Sequence, residues 1–340
     1  MDLPSIGKTE KRFADGFQLG ITVLKDQLMA TNETISHLDI FKSDLELGHA
    51  KSEGEGKQPA PFNLYSGNRI SYRLYSDTRP HCLEIAPLQK GLVLTFSGKE
   101  LIEEGVGFGV PVVKYADKTY FSSSAESFMS FDKRNRPVLI KCFNFDAISR
   151  KRVGRASYIN DKFYSRIHRL FEKAYLGNRK LIPIFNTVME MRRTLRIQTD
   201  FIKVKSRGKV TVRYTCLPEK VGISADFSEL ERTGRREILV LNEQGSSFFR
   251  AFLASDGTNL HDRNIGAWER VMADTATFSD KSRVLSFTLK KVKGAMLYRG
   301  WESTKGRFAW AGLSYSLLSP LSTFRYIVRL TRSIRDQKQP

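Results

Sequence analysis

The chain has 340 residues, of which 41% are hydrophobic and 27% charged. That length can bury one large core or two ordinary ones, and the composition excludes an intrinsically disordered protein. The formal charge of +20 is unevenly spread: residues 1–150 hold 19 Lys+Arg and 19 Asp+Glu, whereas residues 151–340 hold 37 and 17. The whole excess therefore lies in the second part. Such an asymmetry points to a polyanionic partner, with a merely solvated basic surface as the plainer alternative.

Residues 1–61 read as an extension before the fold, ending in the linker GHAKSEGEGKQPAP (Gly48 to Pro61), which is small, charged and without apolar periodicity. The opening MDLPSIGKTEKRFADGF lacks the apolar core of a secretory signal, so the expected compartment is the cytoplasm. From Phe62 strands recur at short spacing. NRISYRLYS alternates Ile70, Tyr72 and Leu74 with polar positions, and GLVLTFSG closes on a Ser97-Gly98 turn. GVGFGVPVVKYADKTYF, from Gly105 to Phe121, places two apolar runs around Ala116-Asp117-Lys118 as a hairpin, its glycines marking a tight turn or bulge. SFMSFD and PVLIKCFNFDAI follow as strands.

At Ser157 the idiom changes. Ile159, Phe163, Ile167, Leu170 and Phe171 fall at helical spacing, so a helical block is expected over 157–193. It carries Arg166 and Arg169 on one side. Strands then return: RIQTDFIKVKSRGKVTVRYTCL reads as a hairpin around Ser206-Arg207-Gly208-Lys209, with Lys203, Lys205, Lys209 and Arg213 as a basic ladder on one face. That ladder is expected to adjoin the helical arginines. VGISADFSEL through GRFAWAGLSYSLL read as a meander. STFRYIVRLTRSIRD fits a strand alternating Tyr326, Val328 and Leu330 against Arg325, Ile327 and Arg329, or a basic amphipathic helix; the strand-rich surroundings favour the strand.

The richest polar cluster is Leu241 to Val271, where Glu243, His261, Asp262, Arg263, Trp268 and Glu269 are expected on or beside turns. His261 beside Asp262 has the makings of a general acid or base, with Glu269 as a carboxylate partner and Arg263 to neutralise a substrate carboxylate. Trp268 offers a flat face to a sugar or base. Nothing has metal-ligand spacing, and no P-loop, GxSxG elbow or dinucleotide fingerprint occurs, so no metal and no cofactor is expected. Cys82, Cys142 and Cys216 are odd in number and lack CxxC spacing, which reads as buried thiols rather than disulfides.

The run of strands from Phe62 to Arg332, the loop QGSSFFRAFLASDGTNL and the ending LSPLSTFRYIVRL resemble the galactose mutarotase-like supersandwich, a group that includes aldose epimerases and the β domains of polysaccharide lyases and glycosidases. The resemblance implies a mainly β protein, one large antiparallel sandwich over 62–340 with the helical block as an insertion. It also implies that the protein binds or processes carbohydrate, acidic if the basic charge takes part, with His261 in the loop suited to a catalytic histidine. Trp268, Glu243, Arg166, Arg169, Lys203 and Lys205 are then the expected ligand contacts. The rival expectation is a non-enzymatic module holding nucleic acid or an anionic membrane on a basic face. No span is apolar enough to cross a membrane, and the sequence leaves the oligomeric state open.

Overall fold

The computed structural model describes residues 61–65, 70–75, 89–102, 105–116, 118–153, 157–158, 197–266, 269–304, 308–318 and 321–332. The chain divides into two units, Met1–Ser36 and His37–Pro340, and every described residue belongs to the second. The expected extension and most of the helical block, with Arg166, Arg169 and Trp268, lie outside the described residues. The first two positions of that block, Ser157–Tyr158, form a short strand.

The strands in chain order begin with β1 (Phe62–Tyr65), β2 (Ile70–Leu74), β3 (Val93–Phe96), β4 (Lys99–Glu100), β5 (Gly107–Tyr115), β6 (Thr119–Phe121) and β7 (Ser124–Phe131). Then come β8 (Pro137–Asn144), β9 (Ala147–Val153), β10 (Ser157–Tyr158), β11 (Ile197–Lys203), β12 (Lys209–Leu217), β13 (Lys220–Asp226) and β14 (Arg235–Gln244). The remainder are β15 (Ala251–Ala254), β16 (Asn259–His261), β17 (Glu269–Val271), β18 (Thr275–Ser279), β19 (Leu285–Lys290), β20 (Met296–Thr304), β21 (Phe308–Leu317) and β22 (Thr323–Arg332). Strands β1 to β4 make a small sheet. The first large sheet runs β10-β9-β6-β5-β14-β21-β20-β17 with β11 also on β9, and the second runs β16-β15-β18-β19-β22-β13-β12-β8-β7. Neighbouring strands throughout are antiparallel, so the fold is a mainly β sandwich.

Alternation decides which side of each strand is buried. In β22, Phe324, Tyr326, Val328 and Leu330 are buried while Arg325, Ile327 and Arg329 face out. The buried set meets the first large sheet: Tyr326 packs edge-on against Tyr315 of β21, with ring centroids 5.0 Å apart. The Tyr326 hydroxyl donates to Asn242 Oδ1 of β14 at 2.7 Å. Phe108 of β5 meets Phe287 of β19 in the same layer at 5.4 Å. Each fully buried ring of this kind contributes about 1.5–3 kcal/mol of burial free energy.

The glycines of GVGFGVP do make a bulge. Opposite β14, Leu241 pairs with Val110 and Asn242 with Phe108, so Gly109 is the extra residue. Its φ of +76° and the Tyr214 ring, which would lie 2.9 Å from any Cβ there, both require glycine.

Two readings from sequence are corrected. The run around Ser206-Arg207-Gly208-Lys209 is not a hairpin, because β11 pairs with β9 in the first large sheet and β12 pairs with β8 and β13 in the second. Nor is the later run a plain meander: β13 passes to β14 and β21 to β22 by changing sheets. The reason is visible at one corner. Phe145-Asp146 carries the chain from β8 to β9, and Ser122-Ser123 carries it from β6 to β7. Residues 204–208 cross alongside, with Val204 N–H donating to Asp146 O and Phe145 N–H to Gly208 O. The buried Asp146 carboxylate fastens the corner by accepting from Ser123 N–H, Ser123 Oγ and Ser124 Oγ at 2.8–3.0 Å. These partners lie too far apart in sequence for a local turn signal to compete with them.

Candidate functional site

The polar cluster of 241–271 is dispersed by the fold. Glu243 lies next to the last position of β14, just before the turn at 246–248, and is fully buried, accepting from Val106 N–H at 3.3 Å. It packs so closely on Gly312 that a Cβ there would lie 2.7 Å from Glu243 Cγ. His261 ends β16 and is exposed; its neighbours Asp262 and Arg263 begin a 3-10 turn, Asp262–Ile265.

Asp262 is engaged elsewhere: Arg250 Nε donates to it at 2.6 Å, with Lys281 Nζ at 3.9 Å. The Arg250 hydrogen bond, opposed by partial burial and aided by the nearby cations, holds the Asp262 carboxyl below the usual carboxylate value. Glu269 is likewise taken by its cross-strand partner Arg299 at 2.5 Å. Arg299 also donates to Ile265 O and stacks 4.9 Å from the centre of the Phe252 ring. Burial pulls the Arg299 pKa down against the pull of Glu269 and Asp256. So the carboxylates expected to orient His261 are bonded to arginines, and no bond joins the His261 ring to either of them.

The basic ladder is divided in the same way. Lys203 and Lys205 are exposed at and just beyond the end of β11, on the first large sheet, while Lys209 and Arg213 lie on β12 of the second. Cys142 and Cys216 are both unpaired thiols, and burial pushes Cys216 up to about 12, which makes it inert at neutral pH. Among the described residues no group of three His, Cys, Asp or Glu side chains is placed to hold a metal ion, and no helix is long and apolar enough to cross a membrane.

What the fold does assemble is a basic face on the outside of the second large sheet. Register places Arg213 (β12), Ser224 (β13) and Arg325 (β22) in one row. The next row is Thr215, Gly222 and Ile327, and beyond it Lys220 stands directly opposite Arg329. Gly222 thus has cations at three of its four diagonal positions, Arg213, Arg325 and Arg329, and a fourth, Lys220, two residues away on its own strand. Among the described residues, Arg213, Lys220, Arg325 and Arg329 make no ion pair and no side-chain hydrogen bond. Like charges directly opposite in a sheet destabilise it.

The nearby carboxylates do little to offset this. Asp132 is held in its own turn by the Arg136 side chain and the Arg134 and Arg136 N–H groups, which bring it down to about 2. Asp226 is lowered first by Ser228, and only lastly by the charge of Arg213.

Over Gly222 lies an open depression of about 560 Å³, lined among others by the apolar Phe131, Val138 and Ile140 and by the cationic Arg213 and Arg325.

No protein-family model and no curated protein sequence matches the chain. Solved structures do resemble it. An α-N-acetylgalactosaminidase from Bifidobacterium bifidum aligns with 79% of this chain at 7% identity and a TM-score of 0.42; the chain spans 35% of that protein's length. A galactose mutarotase-like protein from Lactobacillus casei aligns with 81% of this chain and all of its own, at 8% identity and a TM-score of 0.35. A putative aldose 1-epimerase from Escherichia coli K12 aligns with 81% of this chain and 99% of its own, at 7% identity and a TM-score of 0.33. Mutarotase-like proteins are therefore among the structural neighbours, in keeping with the resemblance read from the sequence. At these identities and scores the likenesses assign neither a family nor an activity.

The residues that sequence reasoning passed over are Lys220, Gly222, Thr215 and Ser224. A faint signal existed in VGISAD: a glycine at an outward position of an alternating strand marks a bulge or a close approach to the backbone.

Proposed function

We propose that this chain is a carbohydrate-binding protein that holds an acidic saccharide on the outer face of its second large sheet. One observation carries the reading: four cations, Arg213, Lys220, Arg325 and Arg329, none of them in an ion pair among the described residues, surround a strand glycine on an exposed face. Their mutual repulsion is relieved when an anionic ligand lies among them. Hydroxyl-bearing Thr215 and Ser224 share the face, as suits a hydroxylated ligand. Among the described residues the exposed aromatic side chains nearest this face, Phe128 and Phe131, both belong to edge strand β7, unlike the aromatic platform on which successive bases stack in single-stranded nucleic acid binding. The reading assigns no proton transfer to His261, since Asp262 and Glu269 serve Arg250 and Arg299.

The test is a titration with polygalacturonate. The wild type is expected to bind it, to weaken steeply as salt rises from about 50 to about 300 mM, and to ignore neutral dextran. Lys220→Glu with Arg329→Glu weakens binding by about tenfold or more at low salt. Absence of binding at low salt, or equal binding of dextran, contradicts the reading.

A further inference from the structure

Resting on that reading, we propose that the depression over Gly222 is the recognition site itself. It takes a single acidic sugar residue, with the carboxylate between Arg213 and Arg325 and the ring's apolar face toward Phe131 and Val138. The starting point is a glycine with no structural reason to be one. Gly222 lies inside β13, hydrogen-bonded to β12 on one side and β22 on the other. It is not among the glycines with positive φ, and a Cβ there would meet only Thr215 Cβ at 3.8 Å and Thr215 O at 3.9 Å, ordinary contact. Gly109 and Gly312 differ, since a side chain at either would strike Tyr214 or Glu243. A glycine inside a strand weakens it, and close approach of a ligand is one of the few reasons to keep it.

The open depression above Gly222, about 560 Å³, falls in the size range of small-molecule sites. Arg213 and Arg325 pair with Ser224 from opposite sides, so their Cα atoms stand about 10 Å apart, two strand spacings. Two guanidinium forks reaching inward over that distance suit a planar carboxylate, which accepts two parallel N–H bonds from each fork it meets. Ser224 lies between them in the same row, and Thr215 beside Gly222 in the next, placing two hydroxyls beneath the ring. Phe131, Val138 and Ile140 give an apolar wall for C–H groups. Asp132 lines the same depression but is committed to Arg136, so its charge is already matched.

Calorimetric titration of the full chain with trigalacturonate tests the assignment. The wild type is expected to bind the trimer, and to bind its fully methyl-esterified form about tenfold more weakly or worse. Gly222→Leu raises an apolar side chain from the floor of the depression without touching a charge, so it is expected to lose the trimer by about tenfold or more while retaining salt-dependent binding of polygalacturonate. Should Gly222→Leu fail to fold, Thr215→Trp blocks the same space from the neighbouring strand. Trimer binding by the substituted variant within about twofold of wild type overturns the site and leaves the polyanion-binding face standing. So does a wild type that takes the polymer but not the trimer. A wild type that takes neither removes both readings. Tighter binding of a single-stranded oligonucleotide than of the trimer, lost in Gly222→Leu, keeps the site and overturns its carbohydrate ligand.

Discussion

Two regions of this molecule are rich in charge and treat it in opposite ways. Around β15 to β17, Asp262 is bonded to Arg250 and Glu269 to Arg299, and the Arg299 guanidinium also caps a carbonyl and covers the Phe252 ring. On the outer face of β12, β13 and β22, four cations make no ion pair among the described residues, and Lys220 and Arg329 directly oppose each other. In the first region charge has been used to hold strands together. In the second it has been left available. The place with the richer catalytic vocabulary in the sequence is thus the place where that vocabulary is already spent on structure.

The contrast is sharpest when a charge is removed. Arg299→Ala should cost about 3 kcal/mol in urea unfolding, because it strands Glu269 and Ile265 O and uncovers Phe252. A loss below about 0.5 kcal/mol would show that the pair is only a surface contact. Asp262→Asn should cost about 1 kcal/mol at neutral pH. Because the Asp262 carboxyl is lowered in the folded state, its contribution is complete above its usual value of 3.8 and fades as pH falls through the lower folded value. The gap between Asp262→Asn and wild type should therefore close in acid, and a gap that widens there contradicts the Arg250 pairing. Gly222→Ala should stabilise by about 0.5–1 kcal/mol, since the added Cβ meets no crowding and the strand loses a flexible residue. A destabilised Gly222→Ala would mean that the glycine is structural after all. The smallest effect is expected for Arg329→Ala, within about 0.5 kcal/mol and toward greater stability, as it relieves the repulsion with Lys220.

What the sequence disclosed follows the range of the forces involved. The strand at 323–332 and the bulge at Gly109 were legible, because alternation and glycine geometry are written within a few residues. The partner of β12 was not. Ser206 to Lys209 have turn-like chemistry, but the ladders to β8 and β13, together with the Asp146 anchor, outweigh a local turn. The 241–271 cluster shows the same limit at the level of function. His261-Asp262 looks like a dyad until Arg250 and Arg299, from strands β15's threshold and β20, claim the carboxylates. The outward row Arg213, Ser224, Arg325 draws one residue from each of three strands, and only the register brings them together.

The most direct test combines two curves on one variant, Arg213→Ala with Arg325→Ala: urea unfolding and polygalacturonate titration. Among the described residues neither arginine has an ion-pair partner to lose, so the unfolding midpoint should stay at or above that of the wild type, while binding weakens by about tenfold or more. Unchanged binding, or a stability loss as large as that expected for Arg299→Ala, would contradict the claim that this face holds its charge for a ligand.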